Sequence, residues 1–383
     1  MSFFQRNATD KLLELASQFK AVAVMGPRQS GKTTLVRACF PDKEYVSLEN
    51  PQMRRFAQDD PAGFIGTYKD GAILDEIQRV PELLSWLQQV LDESNERGKF
   101  ILTGSNNMLL LEKITQSLAG RVAYLDLLPF SLSERPDTFT SSLHECLLYG
   151  GYPPVIADKI APENWFPAYV RTYIEKDIRQ IKNIENILVF EKMISLCAGR
   201  VGQMLNFSNL SNELGVDHKT VRSWIGLLEA SYVIFLLPPY HKNFNKRIVK
   251  TPKLYFVDTG LAAWLLGIQD EDQLTLHHYK GALFENWAIS EFLKKRFNQG
   301  KRSNLFFWRD SSGNEIDLIL ENGLNTEAIE IKSGQTIQPA FFKGLKFWEK
   351  ITGQQDGKVI YGGEETQLRS NGIEVRPWRW LGE

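Results

Sequence analysis

The stretch AVAVMGPRQSGKTTLVRACF, Ala21 to Phe40, leaves this chain few folds to adopt. Ala21 to Met25 is a short apolar run of strand length. Gly26 to Thr33 matches G-x-x-x-x-G-K-[ST], and TLVRACF continues with helical character. A strand that enters a glycine loop and opens a helix points several backbone N–H groups, and the positive end of the helix, at one spot. That spot is an anion site, and strand–loop–helix is the context the phosphate-cradle motif requires. The expected contacts are Gly26, Pro27, Arg28, Gln29, Ser30, Gly31, Lys32, Thr33 and Thr34. Lys32 is expected to reach the β- and γ-phosphates of ATP, and Thr33 to bind Mg²⁺. The bland alternative is a glycine turn before a surface helix, which would not require every motif position to be met.

Later segments extend the pattern. GAILDEIQ ends an apolar run in Asp75 and Glu76. Asp75 fits a carboxylate on the magnesium side, and Glu76 fits the base that polarises the attacking water. Taken alone, the pair reads equally as the cap of a strand-to-helix turn. KFILTGSNN ends in Thr103, Ser105 and Asn106, which are either γ-phosphate sensors or turn and cap residues. KEYVSLEN (Lys43 to Asn50) and AYLDLLPF (Ala123 to Phe130) supply two more strands. Strands alternating with helices predict a parallel α/β sheet. Arg121 in SLAGRVAYL is either an arginine finger acting in trans, which implies a homo-oligomer, or a solvated arginine before a strand.

GPRQSGKTTL, ILDEIQ, FILTGS, SLAGR and LLPFSLSE together resemble the AAA+-type P-loop ATPases of bacteria and archaea that carry a C-terminal domain of unknown function. GGYP at Gly150 to Pro153, YVRTYIEKDIRQ from Tyr169 and LYFVDTGLAAWLLG fit the same family, so the resemblance runs over nearly the whole chain. It implies an AAA+-like core of the additional-strand class, with one strand between the cradle strand and the Asp-Glu strand in sequence. It also implies a helical lid, and no particular substrate. In the lid, Arg171 or Arg179 either touches the nucleotide or forms surface ion pairs.

LNFSNLSNELGVDHKTVRSWIGLLEASYVIFLLPPY predicts two helices joined by a glycine turn and then a wing strand. Ser208 is the expected cap of the first helix and Asp217 of the second. His218, Lys219, Thr220, Arg222 and Ser223 open the second helix, the one that would enter a DNA groove. Such modules also serve only as packing or protein-contact surfaces. HKNFNKRIVKTPK, from His241 to Lys253, is either a phosphate-holding loop around Phe244 or a solvated hairpin.

Three further pieces carry charge on apolar elements. GALFENWAISEFLKKRF is an amphipathic helix with Glu285. NLFFWRDSSGNEIDLILENG is a hairpin with Asp317 on its second strand. TEAIEIKSG places Glu330 and Lys332 two apart, hence on one face of a strand. Asp317, Glu330, the Ile331 carbonyl and water suit one Mg²⁺ or Mn²⁺. Lys332 would activate the attacking water or steady a phosphate, and Glu285 would order a metal-bound water. The alternative is a structural salt bridge at a sheet edge, or a nuclease fold without activity. The order Glu, Asp, Glu-x-Lys resembles the PD-(D/E)xK nuclease fold, with Ile316 in place of proline. The basic tract KKRFNQGKR, Lys294 to Arg302, would attract a phosphate backbone.

The expected architecture is α/β. A P-loop AAA+-like parallel sheet (1–135) is followed by a helical lid (136–200), a winged-helix-like module (201–260) and a restriction-endonuclease-like α/β domain (261–383). Composition agrees with a multidomain globular chain of 383 residues, 43% hydrophobic and 24% charged. The net charge of −1 leaves nucleic-acid affinity to local basic patches. Three scattered cysteines argue against a disulfide framework or a zinc site and fit a reducing cytoplasm. No apolar run approaches the ~20 residues that span a bilayer, and the N-terminal segment lacks a signal-peptide core. The expected function is an ATP-controlled DNA-binding protein with metal-dependent cleavage. The alternative is a nucleotide-dependent switch or partner-binding protein without it.

Overall fold

The computed structural model describes residues 4–105, 118–139, 141–174, 187–241 and 250–383. Asn106, Arg179 and Phe244 lie outside the described residues. The chain divides into two compact units. The first comprises residues up to Phe130 with Ala230–Tyr232 and Lys294–Arg302, and the second comprises the remainder.

The first unit is built on five parallel strands: β1 (Ala21–Met25), β2 (Glu44–Ser47), β3 (Ala72–Asp75), β4 (Phe100–Gly104) and β5 (Val122–Asp126). Their order across the sheet is β2-β3-β4-β1-β5. Every residue of β1, β3 and β4 is buried, as expected of a parallel sheet covered on both faces. Alternation divides them. Ala21, Ala23, Met25, Leu74 and Leu102 pack with Phe64, Leu84 and Leu87 on one face. Val22, Val24, Ile73 and Ile101 pack with Leu12, Leu35 and Val36 on the other. The strand between the cradle strand and the Asp75 strand in space is β4. β2, which lies between them in sequence, forms the edge. Thr103 and Ser105 at the end of β4 therefore stand beside Asp75 and Glu76, at the carboxyl ends of the strands where open α/β sheets bind ligands.

In the second unit, helices Phe207–Leu214 and His218–Ala230 are joined through Gly215, which adopts a left-handed φ of 66°. They lead into a two-stranded antiparallel sheet of β6 (Ile234–Leu237) and β7 (Lys253–Phe256). Asp217 caps the second helix as expected, accepting from Lys219 N at 2.8 Å and Thr220 N at 3.0 Å. The first helix is capped by Asn206, which accepts from Asn209 N at 3.0 Å. Ser208 already lies within the first turn, so the expected cap is displaced by two residues.

The same unit holds a six-stranded mixed sheet of β8 (Leu305–Arg309), β9 (Glu315–Asn322), β10 (Asn325–Lys332), β11 (Gly357–Tyr361), β12 (Gln367–Leu368) and β13 (Glu374–Pro377). Its order is β12-β13-β11-β10-β9-β8. β8, β9 and β10 run antiparallel, while β11 returns parallel to β10. Helix Lys343–Thr352 makes that crossover, with Leu345 and Trp348 packed among Trp308, Ile316, Ile319 and Val359. Among the described residues, no helix is long and apolar enough to cross a membrane.

The GGYP and DTGL segments meet inside this unit. Asp258 caps Leu261 N at 3.1 Å with one carboxylate oxygen and accepts from Gly151 N at 2.6 Å with the other. Gly150 has φ 64°, and a Cβ there would overlap the Asp258 carboxylate. Gly150→Ala therefore faces both backbone strain and a clash. We expect a loss of about 2 kcal/mol or more, read as a lowered thermal transition. An unchanged transition would refute this packing account.

Candidate functional site

The cradle forms as its motif demands. Gly26, at φ 153°, passes so close to the Leu127 carbonyl that a Cβ would overlap it. Gln29 and Gly31 take left-handed φ values of 59° and 91°, and Gly31 leads directly into helix Lys32–Cys39. From outside the loop, the Arg6 guanidinium braces it, donating to Ser30 O and Leu128 O at 2.7 Å each. Lys32 is buried and folds its ammonium back onto Gly26 O at 3.0 Å and Pro27 O at 2.7 Å. The Ser30 hydroxyl is buried without a hydrogen-bond partner, and Thr34 is exposed on the first turn of the helix. Arg28 pairs with Glu49 at 3.4 Å, which also lies 3.6 Å from Arg79. A glycine loop that opens a helix, with an orphaned hydroxyl and a buried ammonium, fits a polyphosphate.

Asp75 is the hub of the site. One of its oxygens accepts from Thr33 Oγ1 at 3.0 Å and from Thr103 Oγ1, and the other accepts from Tyr45 OH at 2.7 Å. Burial and this bond push the Tyr45 phenol up to about 12. Thr33 Oγ1 and the Asp75 carboxylate thus stand side by side next to the glycine loop. Glu76 sits at a left-handed φ of 59°, and its N–H donates to Thr103 Oγ1 at 3.3 Å. Burial raises its carboxyl above the usual range. Lys32 and Arg28 oppose that shift, while Asp75 and Glu49 add to it. A raised carboxyl is suited to accept a proton. Arg121 is half-exposed and forms a two-pronged pair with Asp92, one prong at 2.9 Å.

The second unit gathers the C-terminal set. Asp317 on β9 accepts from Lys332 Nζ at 2.7 Å and from Ile331 N at 2.8 Å, and Lys332 also pairs with Glu330 on β10. Gly344 lets helix Lys343–Thr352 press against this point, since a Cβ there would overlap the Glu330 carboxylate. Glu285, on helix Lys280–Asn298, joins through Lys253. The Lys253 ammonium is 3% exposed, lies 3.1 Å from Glu285 and also pairs with Glu315. Tyr255 donates to the same Glu285 oxygen. Lys253 belongs to the basic segment expected to be a solvated or phosphate-holding loop. The fold instead buries it at the start of β7 as an internal counter-ion.

Charge in this cluster is not balanced by its two lysines, Lys253 buried and Lys332 partly exposed. Glu285, Glu315, Asp317 and Glu330 face Lys253, Lys332 and the half-exposed Arg309, which is 3.0 Å from Glu315. Burial and the neighbouring Asp317 raise the Glu330 carboxyl well above its usual range. Asp317 is held below its own despite burial, by Lys332 and Lys253. Among the described residues, no group of three or more His, Cys, Asp or Glu side chains is arranged to hold a metal ion.

Sequence reasoning missed Tyr45, Gln78, Arg6 and Lys253. Gln78 closes the LDEIQ stretch two residues after Glu76, so its position was a usable signal. No motif marks the other three. In the basic tract, Lys294 is buried and donates to Phe130 O at 3.1 Å, so it is not part of an exposed phosphate-attracting surface.

Residues 18–135 match a family described as an AAA domain. Residues 140–272 match a domain of unknown function (DUF8612), and residues 280–381 match another (DUF4143). An uncharacterised protein of Mycobacterium tuberculosis is 28% identical over 347 residues, spanning 89% of this chain and 76% of its own length. An uncharacterised protein of Haemophilus influenzae is 25% identical over 212 residues, 51% of this chain and 52% of its own. Among solved structures, the Walker-type ATPase of Pyrococcus abyssi covers 69% of this chain and 96% of its own, at 15% identity and a TM-score of 0.45. AMPPCP-bound DnaA from Aquifex aeolicus covers 58% and 85%, at 14% identity and a TM-score of 0.30. The glycine loop, the parallel sheet and the match over residues 18–135 define that part of the chain as an AAA-type P-loop ATPase domain.

The buried pairs make a stability prediction. Lys253→Met leaves Glu285 and Glu315 without their ammonium and should cost about 3–5 kcal/mol in denaturant unfolding. Adding Glu285→Gln should recover part of that loss. A single variant as stable as the wild type would show that the pair carries no weight.

Proposed function

We propose that the chain binds ATP with Mg²⁺ and hydrolyses it. The cradle amides and Lys32 hold the β- and γ-phosphates. Thr33 and Asp75 would hold the Mg²⁺, which would supply charge neutralisation of the phosphates when bound. Glu76 takes the proton of the attacking water. The observation that carries this reading is the Asp75 carboxylate, held by Thr33 and Thr103 at the carboxyl ends of β3 and β4 beside the cradle. Arg121 completes the site of a neighbouring copy when it leaves Asp92, so the working form is a homo-oligomer. The reading places the protein in the cytoplasm. Lys32→Ala is expected to abolish ATP binding in a direct binding assay. Glu76→Gln should keep binding and slow turnover by about 10²-fold or more. Lys32→Ala turning over like the wild type would end this assignment.

We further propose that the second unit acts on DNA, with residues 136–200 as the lid, 201–260 as a winged helix and 261–383 as a nuclease-like domain. His218, Lys219 and Arg222 are exposed at the start of the second helix, where a groove-entering helix carries its contacts. The cleavage reading rests on the meeting of Asp317, Glu330 and Lys332 from two strands. Asp317 and Glu330 would hold Mg²⁺ or Mn²⁺, which supplies Lewis-acid activation of water. Lys332 would steady the phosphate, and Glu285 would order water at the far side. Plasmid DNA titrated with either ion should be nicked by the wild type and left intact by Asp317→Ala. Absence of nicking with ATP, ADP or neither would instead favour a nucleotide-dependent switch or partner-binding protein with an inactive nuclease-like domain.

A further inference from the structure

We propose that Gln78 is a positioning residue for hydrolysis, fixing the Glu76 carboxylate to Ser105 at the end of β4. This inference rests on the ATPase reading above. The Gln78 amide nitrogen donates to Glu76 Oε2 and also to Ser105 Oγ, at 2.8 Å. One NH₂ group has two hydrogens, and both are used. The opposite amide orientation would set a carbonyl oxygen against a carboxylate, so the network itself fixes the assignment.

The backbone leaves Gln78 no freedom to be elsewhere. Glu76 is left-handed, and Ile77–Arg79 follows as a single 3₁₀ turn closed by Arg79 N to Glu76 O at 2.9 Å. Ile77 is fully buried in the core beneath the sheet and pins that turn. The Gln78 side chain is thereby turned back onto Glu76, while its own carbonyl oxygen is buried without a partner. A glutamate on its own loses rotamer freedom when it is fixed, which costs free energy. A rigid donor two residues away removes that cost before the nucleotide arrives. Because the same nitrogen holds Ser105, the base and the end of β4 are set as one piece.

Gln78→Met keeps the length and removes the donor. We expect kcat to fall by at least about tenfold, with KM for ATP and nucleotide Kd changed less than about twofold and the melting transition kept. In a Glu76→Gln background the same change should cost nothing further, because its target is gone. A merely structural role would lower turnover equally in both backgrounds and would move the melting transition. Turnover that depends on Glu76 yet is unaffected by Gln78→Met overturns the inference alone, as does a loss that persists in the Glu76→Gln background. Wild-type turnover no faster than that of Glu76→Gln removes Glu76 as the base and this inference with it, whereas turnover that is unchanged in Lys32→Ala overturns the ATPase reading itself.

Discussion

A carboxylate taken out of water must be answered by donors or cations within hydrogen-bond reach, and both polar centres of this chain are organised by that requirement. Asp75 ends a fully buried strand. It is answered by three hydroxyls, Thr33, Thr103 and Tyr45, drawn from three separate elements. No cation is needed to hold it in place, so its charge stays available. Asp317 is answered by a backbone N–H and an ammonium, and Glu285 by a lysine and a tyrosine. The first solution keeps a net negative point beside a positive cradle. The second internalises its counter-ions.

That difference bears on chemistry. Hydroxyls can exchange one partner for another at little cost, whereas a buried ammonium removed from its carboxylates leaves charge exposed to a low dielectric. The Asp75 centre is therefore arranged to admit and release a ligand. At the C-terminal cluster, an incoming cation must contend with Lys332, which pairs with both Asp317 and Glu330. A metal bound there would enter a site that is already satisfied in its absence.

The local features were legible in the sequence because adjacent residues encode them. The glycine loop and the Asp75–Glu76 pair needed only a strand before and a helix after. Two-residue spacing placed Glu330 and Lys332 on one face. The fold then joined Asp317 to them, as the hairpin pattern indicated. What was not legible came from tertiary neighbours. Tyr45 lies on β2, which sits at the sheet edge rather than between β1 and β3, so its hydroxyl reaches Asp75 from a direction sequence order hides. Lys253 reads as one more charge in a basic run, and only the antiparallel pairing of β6 with β7 turns it inward. The Asn206 cap was missed because Asn and Ser compete two residues apart, and the choice depends on where the first turn begins.

Position along a strand finally decides what each acid can do. Asp75 and Glu76 stand at the end of β3, where the chain leaves the sheet. Asp317 and Glu330 lie inside paired strands, where register fixes their direction: β9 and β10 bring their side chains together, and Ile331 N–H is drawn to Asp317. An acid at a strand end can be re-aimed by the turn that follows it, as the 3₁₀ turn after Glu76 does through Gln78. An acid within a ladder cannot move without the sheet. The first unit accordingly holds acids that a turn can re-aim, and the second holds Asp317 and Glu330 fixed by the sheet, with Lys332 reaching both.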